Sequence, residues 1–328
     1  MKLIEPMLCH EVKVDESIWK EYGMDGAAVT TAYRKAIIEE LKKLKIRGFV
    51  SERKWDGTRV LAIKDGTVTL QNRNGIIYTI RLPEIVKNLQ QLHGRWTLDS
   101  EVVYIDPQTG EEKFTPCQRR CSTHFPDWML REQFPVKMKA FDILSADGAT
   151  LEQIPYSERK EMLRQMLAGE DDIMKYGDTI EYVPFETDLL KAWKEAVVKD
   201  REGLIVKRLD SPYEHDRSYS WLKVKNWRFE SCDIVGFTQG EGARSPFFGS
   251  LVLAREGKYV GNVGSGFNEW ELRKMKDTLF DAVTDKKPFS YEQVGEPYRA
   301  VDVKMQTLVK YYQTTDNNVF RFPIFITT

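Results

Sequence analysis

The chain has 328 residues, room for two domains at roughly 100–200 residues each, and its 41% hydrophobic and 30% charged residues suit a soluble globular protein. Lys plus Arg (49) balance Asp plus Glu (50), so no global positive field draws nucleic acid, and any such binding must use a local basic groove. Met1–Pro6 lacks the apolar core of a signal peptide, no run reaches the ~18 apolar residues of a membrane span, and the four cysteines (Cys9, Cys117, Cys121, Cys232) are too scattered for a disulfide scaffold; together these predict an intracellular, reducing setting, cytoplasmic or nucleoid-associated.

Val29, Tyr33, Ile37, Leu41 and Leu44 recur at helical spacing and predict an amphipathic helix over 27–45. Residues 49–53 then read as extended and lead directly into Lys54. Stretches 58–63 and 67–71 flank Asp65-Gly66, a hairpin signal. Further strands are expected at 96–105, 138–144, 203–208 and 221–225. Ser157 and Asp188 are placed as N-caps of helices. A junction near 226–231 divides the chain into domains 1–229 and 230–328. Beyond it the pattern gives strands at 233–239, 250–255 and 258–263, a helix from Asn268 to about Val283, and two longer strands at 300–312 and 319–327. Five strands with one helix suggest a small barrel of the OB-fold kind.

The strongest local signal for chemistry is Lys54-Trp55-Asp56-Gly57-Thr58-Arg59. A lysine ends a strand, and an acid and a glycine follow; glycine lets the backbone run close beside a ligand. A lysine is a nucleophile only after its amine loses a proton, which nearby cations or desolvation promote. Alone, this hexapeptide reads equally well as a turn with a solvated lysine. Three other segments place charged or aromatic residues in apolar strand patterns: Leu98-Asp99-Ser100-Glu101, Phe141-Asp142-Ile143-Leu144 and Glu202-Gly203-Leu204-Ile205-Val206-Lys207. A fourth, Trp221-Leu222-Lys223-Val224-Lys225, puts two lysines on one strand face by the period of two. Taken singly, each reads as a solvent-facing charge or a core aromatic.

The order of these segments resembles the covalent nucleotidyltransferase superfamily, and within it the ATP-dependent DNA ligases of minimal two-domain type. That family runs Lys-x-Asp-Gly-x-Arg, an acidic strand, an aromatic strand, Glu-Gly-apolar-apolar-x-Lys, then Lys-x-Lys, and all five occur here in order between Arg47 and Lys225. The resemblance implies an α+β fold: a mostly antiparallel, ATP-grasp-like nucleotidyltransferase domain followed by an OB-fold barrel. It implies that Lys54 attacks the α-phosphate of ATP and carries AMP. It places the backbone at Glu52 against adenine, Phe141 stacked on the base, Glu101 on the ribose or a metal, and Glu202 on Mg2+ or Mn2+. Arg59 and Arg73 would contact AMP and phosphate, Arg217 would join the phosphate site, and Lys223 and Lys225 would neutralise phosphates. Lys223, Lys225 and the metal are expected to depress the Lys54 pKa. The implied partner is nicked duplex DNA, met by a monomer with no membrane involvement. An RNA ligase or capping-type enzyme, and an inactive nucleic-acid-binding relative, remain open alternatives. The family's terminal Arg-x-Asp-Lys is not found in 320–328, which bears on the efficiency of self-adenylylation.

Cys117, Cys121 and His124 have helix-turn spacing, but no fourth zinc ligand lies near them in sequence. Arg119 and Arg120 between them are candidates for DNA phosphate contacts instead. Gly240-Glu241-Gly242 and Gly264-Ser265-Gly266 lack a Rossmann context and read as barrel turns.

Overall fold

The computed structural model describes residues 4–167, 179–315 and 317–328. These form two compact units: the chain up to Val12 with Glu40–Val224, and Lys13–Glu39 with Lys225–Thr328. The second unit thus takes in an early stretch of helix that nothing in the local sequence assigns to it.

The first unit is built on two sheets. One orders Leu8–Glu11, Arg217–Lys225, Gly203–Arg208 and Phe49–Arg53 as neighbours. The other orders Thr67–Asn72, Thr58–Asp65, Trp96–Tyr104, Val136–Ala146 and Ala149–Thr150, with Ile180–Tyr182 added beside Val136–Ala146. Leu8–Glu11 runs parallel to Arg217–Lys225 and Val136–Ala146 parallel to Ile180–Tyr182, while Phe49–Arg53 with Gly203–Arg208 and the other pairs of the second sheet are antiparallel. The 58–65/67–72 hairpin turns at Gly66, whose φ of 75° is left-handed, as a glycine allows. Trp96–Tyr104 and Phe49–Arg53 are buried on both faces rather than alternately, the texture of strands covered from both sides. That coverage overturns the single-segment reading of Asp99 as solvent-facing; it is fully inside, and so is Glu52.

Two helix starts test the cap assignments. Asp188 caps Leu189–Val198 as expected, its carboxylate accepting from the Leu190 and Lys191 N–H groups. Ser157 is not a cap, because the helix Tyr156–Leu167 already contains it. Pro155, which needs no N–H partner, precedes that helix and suits its entry.

The second unit centres on the twelve-residue strand Arg228–Gln239. Phe248–Arg255 pairs along it, and Lys258–Val263 pairs with that strand in turn. The capping box of Asn268 and Glu271 starts the helix Glu269–Asp281, whose Leu272, Met275 and Leu279 close the barrel core with Phe237, Phe248 and Phe325. This is the OB-fold expected from the strand count. Two strand boundaries differ from the sequence reading. The stretch 300–312 is two strands, Tyr298–Val301 and Gln306–Tyr311, because each pairs with a different part of Arg228–Gln239. The final strand is only Ile324–Thr327, since Phe322 has a φ of 51° and Pro323 has no N–H to give a ladder. In the same unit, Gly26 packs so closely on Phe229 that a Cβ would lie 2.4 Å from its carbonyl oxygen. Among the described residues no helix is long and apolar enough to cross a membrane.

Candidate active site

Lys54 follows the strand Phe49–Arg53 directly, and its N–H donates to the Gly203 carbonyl at 3.0 Å. This fixes the motif loop against the start of the strand Gly203–Arg208. Gly57 is required by space: a Cβ there would meet the Val102 carbonyl oxygen at 2.0 Å. Glu112 holds the loop from the other side, accepting from the Asp56 N–H at 2.8 Å and pairing with Arg53 at 2.7 Å. Trp55 lies between two cations, Arg53 at 3.8 Å and Lys139 at 4.4 Å from its ring centre. The Lys54 ammonium is thereby aimed at Glu202, 2.5 Å from its carboxylate.

This pairing acts on the Lys54 pKa in the direction opposite to the expected cations. Burial alone would lower it, but Glu202, helped by Glu101 and Asp56, holds the ammonium above its ordinary value. The nearest strong charges are carboxylates, not the lysines of 221–225. Glu101 responds oppositely. Burial, together with repulsion from Glu202 and Asp99, outweighs the attraction of Lys54 and Arg59 and pushes its carboxyl up to about 8. Two mutually repelling carboxyl groups in a desolvated space form a hard-oxygen donor pair. That chemistry fits Mg2+ or Mn2+, ions that complete their coordination with water and substrate phosphate. Among the described residues no group of three or more His, Cys, Asp or Glu offers a metal cage.

Arg59 lies opposite Glu101 across neighbouring strands. Its guanidinium makes two parallel hydrogen bonds to Asp99, at 2.9 and 2.5 Å, and donates to the Met7 carbonyl at 2.6 Å. Asp99 is fully buried and also accepts from the Tyr213 hydroxyl at 2.7 Å. A charge-assisted fork of this kind fixes the plane of the arginine. Phe141 is half-buried, with Arg59 5.4 Å and Lys207 4.6 Å from its ring centre and Trp221 edge-on at 6.1 Å.

Beneath it lies a buried ionic cluster. Glu52 accepts from Tyr156 and Lys160 through one oxygen and faces Lys207 at 2.7 Å with the other. Burial opposes the charge on Glu52, but Lys160 and Lys207 hold its pKa below the ordinary value. Lys160 is drawn down to about 8, mainly by burial and by Lys207, against the pull of Glu52. The Lys207 ammonium sits 4.0 Å from the Trp221 ring centre and 4.8 Å from that of Tyr156.

The structure therefore joins Lys54 to Glu202, Glu52 to Lys207, and Phe141 to both Lys207 and Arg59. Other residues named from the sequence make these contacts. Arg73 is exposed on the turn after Thr67–Asn72, where the Asn72 carboxamide accepts from the Asn74 and Ile76 N–H groups. Arg217 opens its strand and donates to the Cys9 carbonyl at 2.7 Å. Lys223 is half-buried, 3.5 Å from Glu11, and Lys225 lies 4.5 Å from the Trp227 ring centre. Arg120 is not available to DNA: it is fully buried, donates to the Arg81 carbonyl and pairs with Glu84 at 2.5 Å. Cys117 and Cys121 pack into the main core, and the Cys117 thiol donates to the Val102 carbonyl, so they are core thiols. Sequence reading passed over Lys160, Lys207 and Glu112. Lys207 was flagged only by ending the Glu202–Lys207 segment; Lys160 and Glu112 carried no local signal.

Residues 28–225 match the family model described as the ATP dependent DNA ligase domain, and residues 244–328 match that of the ATP dependent DNA ligase C terminal region. The chain is 34% identical over 278 residues to the multifunctional non-homologous end joining protein LigD of Mycolicibacterium smegmatis, an overlap of 82% of this chain and 33% of that protein. It thus spans about a third of the length of the LigD proteins it matches. The ligase domain of M. tuberculosis LigD superposes with a TM-score of 0.50 at 25% identity, covering 98% of this chain and 93% of that one. A structure from a study of Lig E DNA ligases shares the fold with a TM-score of 0.61 at 19% identity, over 86% of this chain and 93% of its own.

Proposed function

Because the chain belongs to the ATP-dependent DNA ligase family, we propose that it seals nicks bearing a 5′-phosphate and a 3′-hydroxyl through AMP carried on Lys54. The observation that carries this reading is the Lys54–Glu202 contact of 2.5 Å beside Glu101, at the end of the motif loop. In the first step the Lys54 amine attacks the α-phosphorus of ATP. A P–N bond forms, the bond to the bridging oxygen breaks, and pyrophosphate leaves. The ammonium must first shed a proton, and the Glu202 carboxylate is the acceptor in contact with it. The 5′-phosphate of the nick then takes AMP from Lys54, and the 3′-hydroxyl displaces AMP as the phosphodiester forms.

A divalent ion held by Glu101 and Glu202 would neutralise phosphate charge and weaken the hold of those carboxylates on the Lys54 proton. Phe141 would stack on adenine while the Glu52 backbone, fixed through its buried carboxylate, lines the base. Arg59, oriented by Asp99, would contact AMP and then the 5′-phosphate. Lys223, Lys225, Arg73 and Arg217 would meet phosphates. The domain from about residue 230 would help hold the duplex, with a monomer as the acting unit.

The test is incubation with ATP and magnesium followed by intact-mass measurement, then sealing of a nicked duplex with ATP, GTP and NAD in parallel. Gain of one AMP by the wild type, none by Lys54→Ala, and sealing with ATP alone are expected. Adenylylation of Lys54→Ala would remove Lys54 from its role.

A further inference from the structure

The strand Trp96–Tyr104, which carries Glu101, runs on into a short hairpin that returns Glu112 to the side of the motif loop. Ile105 and Glu112 face each other in an antiparallel bridge. The turn between them is tied down from within. The Asp106 carboxylate accepts from the Gln108 N–H at 2.9 Å and pairs with Lys113 at 2.7 Å, while the Asp106 N–H donates to the Glu111 carbonyl at 2.8 Å. An aspartate bonded to its own turn in this way fixes the loop it opens. Glu112 thus reaches the motif loop from a rigid base, and its side chain is only 7% exposed.

The two carboxylate oxygens of Glu112 go to the two sides of Lys54. Oε2 accepts from the Arg53 guanidinium at 2.7 Å, on the residue before the lysine, and Oε1 accepts from the Asp56 N–H at 2.8 Å, two residues after it. Arg53 lies in turn 3.8 Å from the ring centre of Trp55. Burial pushes the Glu112 carboxyl above its ordinary range against the pull of Arg53 and of the Asp56 N–H, so its charge is costly where it stands. With both oxygens committed to the loop, it is neither a ligand for a metal nor the acceptor of the Lys54 proton, and the Lys54 ammonium meets Glu202 instead. What Glu112 supplies is position. The Lys54 N–H is held by the Gly203 carbonyl and Gly57 abuts the Val102 carbonyl. Glu112 adds a third hold and refers the loop to the stretch of chain that carries Glu101.

We propose that Glu112 is a positioning residue for AMP capture: by bracing the motif loop through Arg53 and the Asp56 N–H, it sets the line along which the Lys54 amine approaches the α-phosphorus. The proposal rests on the Lys54 reading above and adds to it a residue that touches neither nucleotide nor metal. Its effect is selective. The steps that form or break the bond between Lys54 and phosphorus depend on the brace, whereas closing a nick that already carries AMP asks nothing of the Lys54 amine.

The test uses the full chain and three measurements: single-turnover AMP capture across an ATP titration, sealing of a pre-adenylylated nick, and thermal melting. Glu112→Ala removes both holds and should lower the maximal capture rate by about 100-fold, the scale of a misplacement near 1 Å. The ATP concentration for half-maximal capture and the rate on the pre-adenylylated nick should stay within about twofold of the wild type, well below that loss. Glu112→Gln keeps the shape and an oxygen for the Asp56 N–H while losing the charge that faces Arg53. It should melt close to the wild type and lose only about tenfold in capture, a partial rescue by the conservative side chain. Unchanged capture in both variants would overturn the proposal. So would a proportional fall in capture and in sealing of the pre-adenylylated nick, which assigns Glu112 to general stability. A raised ATP requirement at an unchanged maximal rate would assign it to nucleotide binding and overturn the proposal as well. A wild type that takes up no AMP would bring down the Lys54 reading and this one with it, an outcome distinct from the other three.

Discussion

Lys54 and Glu202 meet at 2.5 Å across the end of one strand and the start of another, and the carboxylate keeps the ammonium protonated against the pull of burial. The nucleophile proposed for AMP capture is therefore stored in its unreactive form. Glu202→Gln keeps the shape and removes the charge. It should lower the Lys54 pKa, so that the pH midpoint of single-turnover AMP capture moves to lower pH while the magnesium requirement rises. A pH midpoint that stays in place would show that this ion pair does not govern the proton.

The Arg59–Asp99 fork predicts that lysine cannot replace arginine. Arg59→Lys loses one of the two parallel bonds and leaves part of a fully buried carboxylate uncovered. Breaking a buried pair costs about 3–5 kcal/mol when one partner is removed outright, so Arg59→Ala should unfold at clearly lower denaturant than the wild type and Arg59→Lys should fall between. Equal urea midpoints for all three would show that the fork adds no stability.

Lys160 gives a prediction in pH. Its folded value is about 8, whereas an unfolded lysine titrates near ~10.4. Between those values the unfolded chain binds a proton that the folded chain has released, so the contribution of this group makes stability rise with pH across that window. The stability difference between wild type and Lys160→Met should move in favour of the wild type from pH 8 to 10, as read by urea unfolding. A difference flat over that range would mean that Lys160 keeps its proton.

Gly57→Ala tests the motif loop without touching any charge. The added methyl would lie 2.0 Å from a backbone oxygen in the central strand Trp96–Tyr104, and neither side can yield cheaply. AMP capture should fall by at least tenfold with the Lys54 side chain unaltered, because a misplacement near 1 Å costs ~100-fold in positioned chemistry. Normal capture by a stable Gly57→Ala protein would show that the loop tolerates displacement.

Phe141 should show its role through size and aromaticity. Phe141→Ala should raise the ATP concentration needed for half-maximal capture more than Phe141→Tyr or Phe141→Trp, since ring contacts contribute about 0.5–1.5 kcal/mol beyond burial. Matching ATP titrations at matched stability would assign the ring to packing between Arg59, Lys207 and Trp221.

What the sequence disclosed follows the range of the interactions. The helix at 27–45, the Asp65-Gly66 hairpin and the Asp188 cap rest on contacts within a few residues, so their signals are local and were read correctly. The ordered motifs disclosed the family. The contacts that shape the site were not legible: Glu52 meets Lys160 and Lys207, and Arg53 meets Glu112, over separations that no periodicity records. The carboxylate in contact with Lys54 was likewise hidden, because Glu202 lies far from it in the chain. The long strand expected at 300–312 failed because its two halves answer to different stretches of one partner strand.

The strand Leu8–Glu11 pairs with Arg217–Lys225, and the Tyr213 hydroxyl accepts from the Met7 N–H while the Met7 carbonyl receives Arg59. One wall of the proposed nucleotide site is thus made by the two ends of the first unit, about two hundred residues apart in the chain. A nascent chain cannot seat Arg59 until Tyr213 has left the ribosome, and a refolding chain must close that long loop before the wall exists. Contacts of such separation form late and slowly. ATP protection should therefore appear in the last phase of refolding, after the hairpin at Gly66 and the core around Trp96 have formed.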